Sequence, residues 1–297
     1  MESRLQKRIH PSWVGTYGFL APATLLLLGV FGVPLIQSVV LSLQKSAGMA
    51  GTSGWAGAQN YIDSFKDPQF WSLLLQTIIW TVGVIVPTTV IAFVLALLLQ
   101  MRIPGKAILR VGIMFPWAIS LSLSAVVWKF AVRPEGLVDT TFTMFGLKKF
   151  IQPWLADTPQ AFLVLIAVGI WVSVPFTTVM LAAAMKGIPQ EIYEAASMES
   201  AKAWHRAWFF TLPLTRRVLA IVTMGNFVIV FNSFPIIFIM TGGGPVYKTS
   251  IMATYIYSKA FSELDFAHSS ALSVIVAVLL FAFSLLYVRL VVNRAKQ

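Results

Sequence analysis

The sequence predicts an all-α integral membrane protein of six transmembrane helices, with a further short helix on the cytoplasmic side between the fourth and the fifth. Three observations carry this. Hydrophobic residues make up 58% of the chain and charged residues 11%, with a mean hydropathy of +0.80, a balance foreign to water-soluble domains of this length. Six apolar runs reach the roughly 20 residues that a helix needs to cross a bilayer: Tyr17–Leu43, Trp71–Gln100, Arg110–Val132, Gln160–Met185, Val218–Met240 and Ser269–Val292. With the N-terminus inside, 14 of the 22 Lys and Arg fall in cytoplasmic segments, seven fall opposite, and Lys129 stands near a helix end. That bias places both termini in the cytoplasm.

The domain organisation follows: a cytoplasmic tail 1–16, a six-helix domain 17–292 holding a cytoplasmic loop 186–217, and a cytoplasmic tail 293–297. The formal charge of +11 would suggest nucleic acid for a soluble protein. Here the charges mark one side of a membrane, and a nucleic-acid role loses its support. With no cysteine, disulfides and cysteine-ligated metals are excluded. His10, His205 and His268 are scattered, and no GxxxxGK[ST] loop occurs, so the chain is predicted to hold no catalytic residue, metal or cofactor.

The first run follows Arg4, Lys7 and Arg8, but it is too long for a signal peptide and no small-residue cleavage pattern closes it, so it reads as a retained span. Pro22 and Pro34 predict kinks in it. The external interval before helix two contains Gly57-Ala58-Gln59-Asn60-Tyr61 and Asp67-Pro68-Gln69-Phe70-Trp71, whose aromatics suit a membrane boundary. Arg102-Ile103-Pro104-Gly105-Lys106 is a basic turn that needs no binding role. Helix three carries Pro116-Trp117 and serines at 120, 122 and 124, which cannot share one face. Helix four carries Pro175, whose freed carbonyl must be satisfied by protein or by water in a cavity. Asn226, Asn232, Ser233 and Phe234 form the most polar stretch of helix five, and are candidates to line a pathway for a hydroxyl-rich solute. Interhelical hydrogen bonding is the alternative for them. Thr241-Gly242-Gly243-Gly244-Pro245 ends that run.

Between helices four and five lies the one long polar interval that reads as folded. Pro189 suits the first turn of a helix, and Glu191 and Glu194 favour its positive end. Ile188, Ile192 and Ala195, with Ala196 beside them, form a narrow apolar face able to lie in a partner's groove. The same pattern would suit an amphipathic helix on the membrane surface.

Glu194-Ala195-Ala196, Ser200, Phe210 and Leu212-Pro213 keep the spacing of the Glu-Ala-Ala, Gly, aliphatic, Leu-Pro signature, and here the chain resembles the permease subunits of binding-protein-dependent ABC importers. Ser200 stands at the family's glycine and Glu199 at the aspartate that often precedes it. Serine tolerates positive φ poorly, so these departures bear on the geometry of the loop and not on the assignment. Asn60-Tyr61, Asp67-Pro68, Trp171 with Pro175-Phe176, and Thr241 to Pro245 resemble the carbohydrate-uptake branch, related to maltose and glycerol-phosphate permeases.

The resemblance implies that Glu191, Glu194, Ala195, Ala196, Glu199, Ser200, Leu212 and Pro213 form a coupling helix and loop docking on an ATPase. It implies as partners a second homologous permease, two ATP-binding subunits that hold ATP and Mg, an extracytoplasmic solute-binding protein and the lipid of a bacterial or archaeal cytoplasmic membrane. Two rivals remain. A secondary transporter would need an ion-coupling residue inside a span, where the sequence places no carboxylate. A structural or receptor-like membrane protein leaves the Glu-Ala-Ala spacing without a cause.

Overall fold

In the computed structural model the described residues are 13–48, 51–101, 103–200 and 202–292. The predicted tail 293–297, most of the tail 1–16, and Arg4, Lys7, Arg8, His10, Arg102, Arg294 and Lys296 lie outside them. Among the described residues five helical stretches are long and apolar enough to cross a bilayer: Leu20–Ser42, Pro68–Gln100, Thr158–Lys186, Ala203–Thr241 and Phe266–Val291. They cover the predicted first, second, fourth, fifth and sixth runs.

The first stretch joins α1 (Trp13–Leu27) to α2 (Val33–Ser42) through a wide π turn, Leu28–Gly32. Pro34 lacks an N–H and its ring presses on the carbonyl four residues back, which belongs to Val30. Widening the helix around that carbonyl is a recognised response. Pro22, by contrast, lies within continuous α1. A hairpin follows, β1 (Gln44–Ser46) against β2 (Thr52–Trp55), antiparallel with Lys45 opposite Ser53. In α3 (Gln59–Lys66), Asn60 donates to the carbonyls of Ser42 and Gln44, both at 2.8 Å, and so fastens the end of α2. Asp67 caps α4 (Pro68–Gln100), its Oδ1 accepting from the Gln69 N–H at 2.8 Å. Of the aromatics expected at the boundary, Trp71 is exposed whereas Phe70 is buried at 1% beside Leu73.

The predicted third span is not one helix. α5 (Lys106–Met114) and its 3₁₀ continuation Phe115–Ala118 meet α6 (Leu121–Ala131) at a bend of 102°. Pro116 cannot donate to a preceding turn, Ile119 and Ser120 are extended, and the Ser120 hydroxyl caps the new helix by accepting from Leu123 N–H at 3.2 Å. Beyond α7 (Leu137–Met144), α8 (Thr158–Lys186) runs unbroken through Pro175. α9 (Gln190–Met198), α10 (Ala203–Arg206), a π turn Ala207–Thr211 and α11 (Leu212–Phe231) follow, and α12 (Phe234–Thr241) completes that stretch. α13 (Met252–Tyr257) and α14 (Phe266–Tyr287) close the chain, each continued by a π turn.

Lipid tails are as apolar as leucine, so helices in a bilayer associate through close packing and polar bonds. The centre of this fold shows both. α4 and α8 share its most extensive contact, and Gly169 is what permits it: a Cβ there would fall 2.8 Å from a methyl of Val84 and 3.0 Å from the Trp80 ring. Trp80 is fully buried, and its indole N–H donates to the Val230 carbonyl of α11 at 2.8 Å. Asn226 of α11 donates to Thr177 of α8 at 2.8 Å. α14 packs on α2, and α12 on α6.

Overpacking this contact should be costly. Gly169→Val is expected to destabilise the fold by about 1–3 kcal/mol, read as a lower thermal unfolding midpoint in detergent; an unchanged midpoint would mean that α4 and α8 part there freely.

Candidate functional site

α9 lies at one end of α8, and its two faces differ. Ala196 is buried at 4% against its own chain, and Ile188, Ile192 and Tyr193 are half-buried. Glu191, Glu194, Ala195, Glu199 and Ser200 are exposed, and Met198 is 89% exposed. The predicted apolar face is therefore divided: Ala196 turns inward, fully covered, while Ala195 looks out between the acidic residues. One hydrogen bond fastens the inner side and two run along an exposed flank. The Tyr193 hydroxyl lies 3.1 Å from Thr211 Oγ1, Arg206 Nη1 donates to Ser197 Oγ at 2.8 Å, and Ser197 Oγ donates to the Tyr193 carbonyl at 2.7 Å. On the outer side Gln190 donates to Glu194 Oε1 at 2.9 Å. Ser197, Tyr193 and Arg206 were not among the expected site residues, since hydrogen bonds across a turn leave no periodic trace.

Ser200 takes φ +56°. Glu199 caps α9, so Ser200 is the next residue, where a left-handed conformation ends a helix and glycine is usual. The loop thus keeps the backbone that glycine adopts freely, with a serine in it. Downstream, Leu212 is half-buried, Pro213 is exposed, and Thr211 and Thr215 beside them are buried at 1% each. The π turn Ala207–Thr211 contains Phe209, the carbonyl that Pro213 crowds, which repeats the arrangement before Pro34.

The four candidate pathway residues do not share one environment. Asn226 is buried at 4% and holds Thr177, whose hydroxyl donates in turn to the Ser173 carbonyl at 3.0 Å. Ser233 is buried at 6%. Asn232 is exposed at the break between α11 and α12, its amide donating to the Val228 carbonyl at 3.1 Å. Phe234 begins a line of rings: it stacks on Phe238 at 4.7 Å, both lie 4.9 Å from Tyr257, and Tyr257 lies 4.8 Å from Phe261. Phe238 and Phe261 remain 40% and 61% exposed. Trp117, 57% exposed, lies 6.3 Å from Phe176 at the bend of α5 and α6.

At the far end of α4 polar groups hold the rim together. Burial pushes the Tyr255 phenol up to about 12, with Lys259 pulling it down and Asp67 pushing it up, so it stays protonated and donates to Asp67 Oδ2 at 3.3 Å. Lys259 pairs with Glu263 at 2.6 Å. The Thr-Gly-Gly-Gly-Pro turn closes on itself, Thr249 donating to the Gly244 carbonyl at 2.7 Å and Ser250 to that of Gly243 at 3.1 Å. Among the described residues no group of three or more His, Asp or Glu could hold a metal ion.

Residues 62–296 match the family model described as binding-protein-dependent transport system inner membrane component. A probable ABC transporter permease protein of Brucella suis is 34% identical over 275 residues, covering 92% of this chain and 95% of that protein. The trehalose/maltose transport system permease protein of Thermococcus litoralis is 26% identical over 274 residues, 92% of each chain. A chain from the crystal structure of a bacterial alginate ABC transporter, in complex with an alginate pentasaccharide-bound periplasmic protein, superposes with a TM-score of 0.82 at 20% identity, covering 95% of both chains.

The left-handed serine supplies a direct check on the loop. Left-handed φ costs an L-residue about 1–2 kcal/mol, so Ser200→Gly is expected to slow proteolysis of the 186–217 loop and to leave helix content unchanged, while Ser200→Val speeds it. Equal cleavage rates for the three would show that position 200 carries no strain.

Proposed function

Since the chain belongs to the binding-protein-dependent transport system inner membrane component family, we propose that it is the permease subunit of an ATP-driven importer for a sugar or sugar derivative. It is an integral inner-membrane protein of that family, and among its relatives are permeases named for trehalose/maltose, diacetylchitobiose and sn-glycerol-3-phosphate, and a transporter of alginate. In this reading the bent pair α5–α6 counts as the sixth span, and α9 faces the cytoplasm as the coupling helix. The chain forms half of a translocation pathway with a second permease. Two ATPase subunits hold ATP and Mg, and a solute-binding protein delivers the cargo from the other side.

The observation that carries this is the outward surface of α9. Glu191, Glu194, Ala195 and Met198 are exposed on a helix whose inner side is bonded to the root of α11. Small Ala195 between two carboxylates lets a partner's groove approach closely, and the carboxylates suit cations on its walls. A push on that surface is passed through Tyr193 and Arg206 to Thr211 and α11, and through the turn after Lys186 to α8. ATP binding closes the ATPases, brings the two coupling helices together and shifts the permease between inward- and outward-facing states, whose balance the partners set.

For the solute, the exposed Asn232 amide beside the rings of Phe234, Phe238 and Tyr257 is the favoured contact, since apolar sugar faces pack on rings while amides bond hydroxyls. Asn226 and Ser233 are buried, and Asn226 bonds α8 through Thr177.

Bulky or charge-reversed residues on the outer face of α9 separate coupling from folding. Ala195→Trp and Glu194→Lys are expected to cut binding-protein-stimulated ATP hydrolysis and uptake in proteoliposomes by about tenfold, as a lost coupling of about 1–3 kcal/mol implies, while membrane insertion is unchanged. Wild-type uptake by both variants would overturn the coupling role of α9.

A further inference from the structure

The connection between α6 and α8 presents a surface that the coupling reading leaves unused. α7 is anchored on one side only. Val138 packs on the core cluster that holds Val132 and Leu165. Asp139 is buried, its Oδ1 accepting from the Trp154 indole at 2.8 Å and its Oδ2 from the Glu135 N–H at 3.0 Å. Phe142 stacks on Trp154 at 5.7 Å. The other side carries Leu137 and, about two helical turns on, the adjacent Met144 and Phe145, 71%, 82% and 76% exposed, with exposed threonines at 140, 141 and 143 between them. Each such side chain left in water forgoes the gain of apolar burial.

Location decides what can cover this face. α6 ends at Ala131 and α8 begins at Thr158, so the segment is tethered at both ends to one membrane face. α8 spans, and α9 follows its other end, so this is the face opposite α9. On α6 the exposed apolar stripe Leu123, Val127 and Phe130 leads up to it, with the Arg133 guanidinium 5.4 Å over the Phe130 ring. Lys148 and Lys149 follow the apolar residues, both exposed, and among the described residues neither has an ion-pair partner. Lys149 lies 5.1 Å over the Phe150 ring. An apolar face followed by lysines and rings is the composition of a helix lying in a membrane interface. A protein that docks and leaves in turn would return these side chains to water at each departure, whereas lipid is always present.

We propose that residues 137–150 form an in-plane anchor, with Leu137, Met144 and Phe145 set at the boundary of headgroups and acyl chains and Lys148 and Lys149 turned to phospholipid phosphates. The anchor ties the end of α6 to the leaflet opposite the coupling loop.

The chain has no cysteine of its own, so a spin label at Met144→Cys, with partner subunits freed of cysteine, reports from one place. In the assembled transporter, reconstituted in phospholipid vesicles, the label should sit about 5–10 Å below the phosphate level. Its access to a water-soluble nickel chelate should be several-fold lower than that of a label at Ser53→Cys on β2, its access to oxygen higher, and both unchanged when the solute-binding protein is added. A label as open to the chelate as the Ser53→Cys reference overturns the proposal. So does one immobilised by the binding protein, or one shielded from both reagents throughout, which would mark a contact with the second permease. Phe145→Cys repeats the measurement where the first variant fails to assemble.

Discussion

A bilayer offers no water to backbone amides, so each one must find a partner inside the protein, and prolines are where that requirement bites. At three prolines of the spans the backbone itself adjusts. Before Pro34 and Pro213 the helix widens into a π turn around the crowded carbonyl. At Pro116 the helix gives way altogether and Ser120 starts a new one. Threonine hydroxyls on α4, α8 and α11 fold back on carbonyls four residues earlier, as at Thr77, Thr81, Thr178 and Thr215. Next to Pro87 the hydroxyls of Thr88 and Thr89 are buried and have no partner among the described residues.

The same scarcity of polar partners gives the few interhelical bonds their weight. Trp80 to Val230, Asn226 to Thr177, Gln100 to the Ala182 carbonyl and Tyr287 to the Ala220 carbonyl lock α4, α8, α11 and α14 in register. Each bond of this kind is modest, about 0.6 kcal/mol on average in membranes. Their value is directional, because apolar packing alone would let neighbouring helices slide. Gly169 adds the close approach that sets their separation.

Composition and run length made the spans legible, because a bilayer imposes one length and one polarity on whatever crosses it. The break in the third run was not legible. A proline inside a span also occurs without a break, as Pro175 in α8 and Pro22 in α1 show, whereas at the 102° bend after Pro116 Ser120 caps a new helix. On α9 the spacing located a helix and its acidic start, but the four apolar positions could not tell which of two adjacent alanines turns inward. That is decided by Tyr193 reaching Thr211, a contact across 18 residues. In a continuous helix Asn226 and Ser233, seven residues apart, share a face and Asn232 points elsewhere. The helix from Asn226 is continuous up to Phe231 and ends at Asn232, so Asn226 faces α8 and Asn232 stands at a break.

That break bears on how displacement travels along the fifth stretch. From Leu212 to Phe231 the helix ladder is intact, and α11 is bonded to α8 at Asn226 and to α4 at Val230. A displacement entering at Thr211 therefore moves α11 together with its neighbours. At Asn232 and Ser233 the ladder stops: Ser233 has ψ +71°, and Pro235 offers no N–H to resume it. α12 is held by different partners, packing on α6, where the Lys129 ammonium donates to the Ile239 carbonyl at 2.8 Å. α12 also packs on α8, and Ile236 and Ile237 share a core cluster with Val230 and Trp80, so the helices meet at two non-helical residues above a common core; a hinge needs only a few positions that absorb a change in φ and ψ. The exposed amide of Asn232 and the ring of Phe234 stand on that joint.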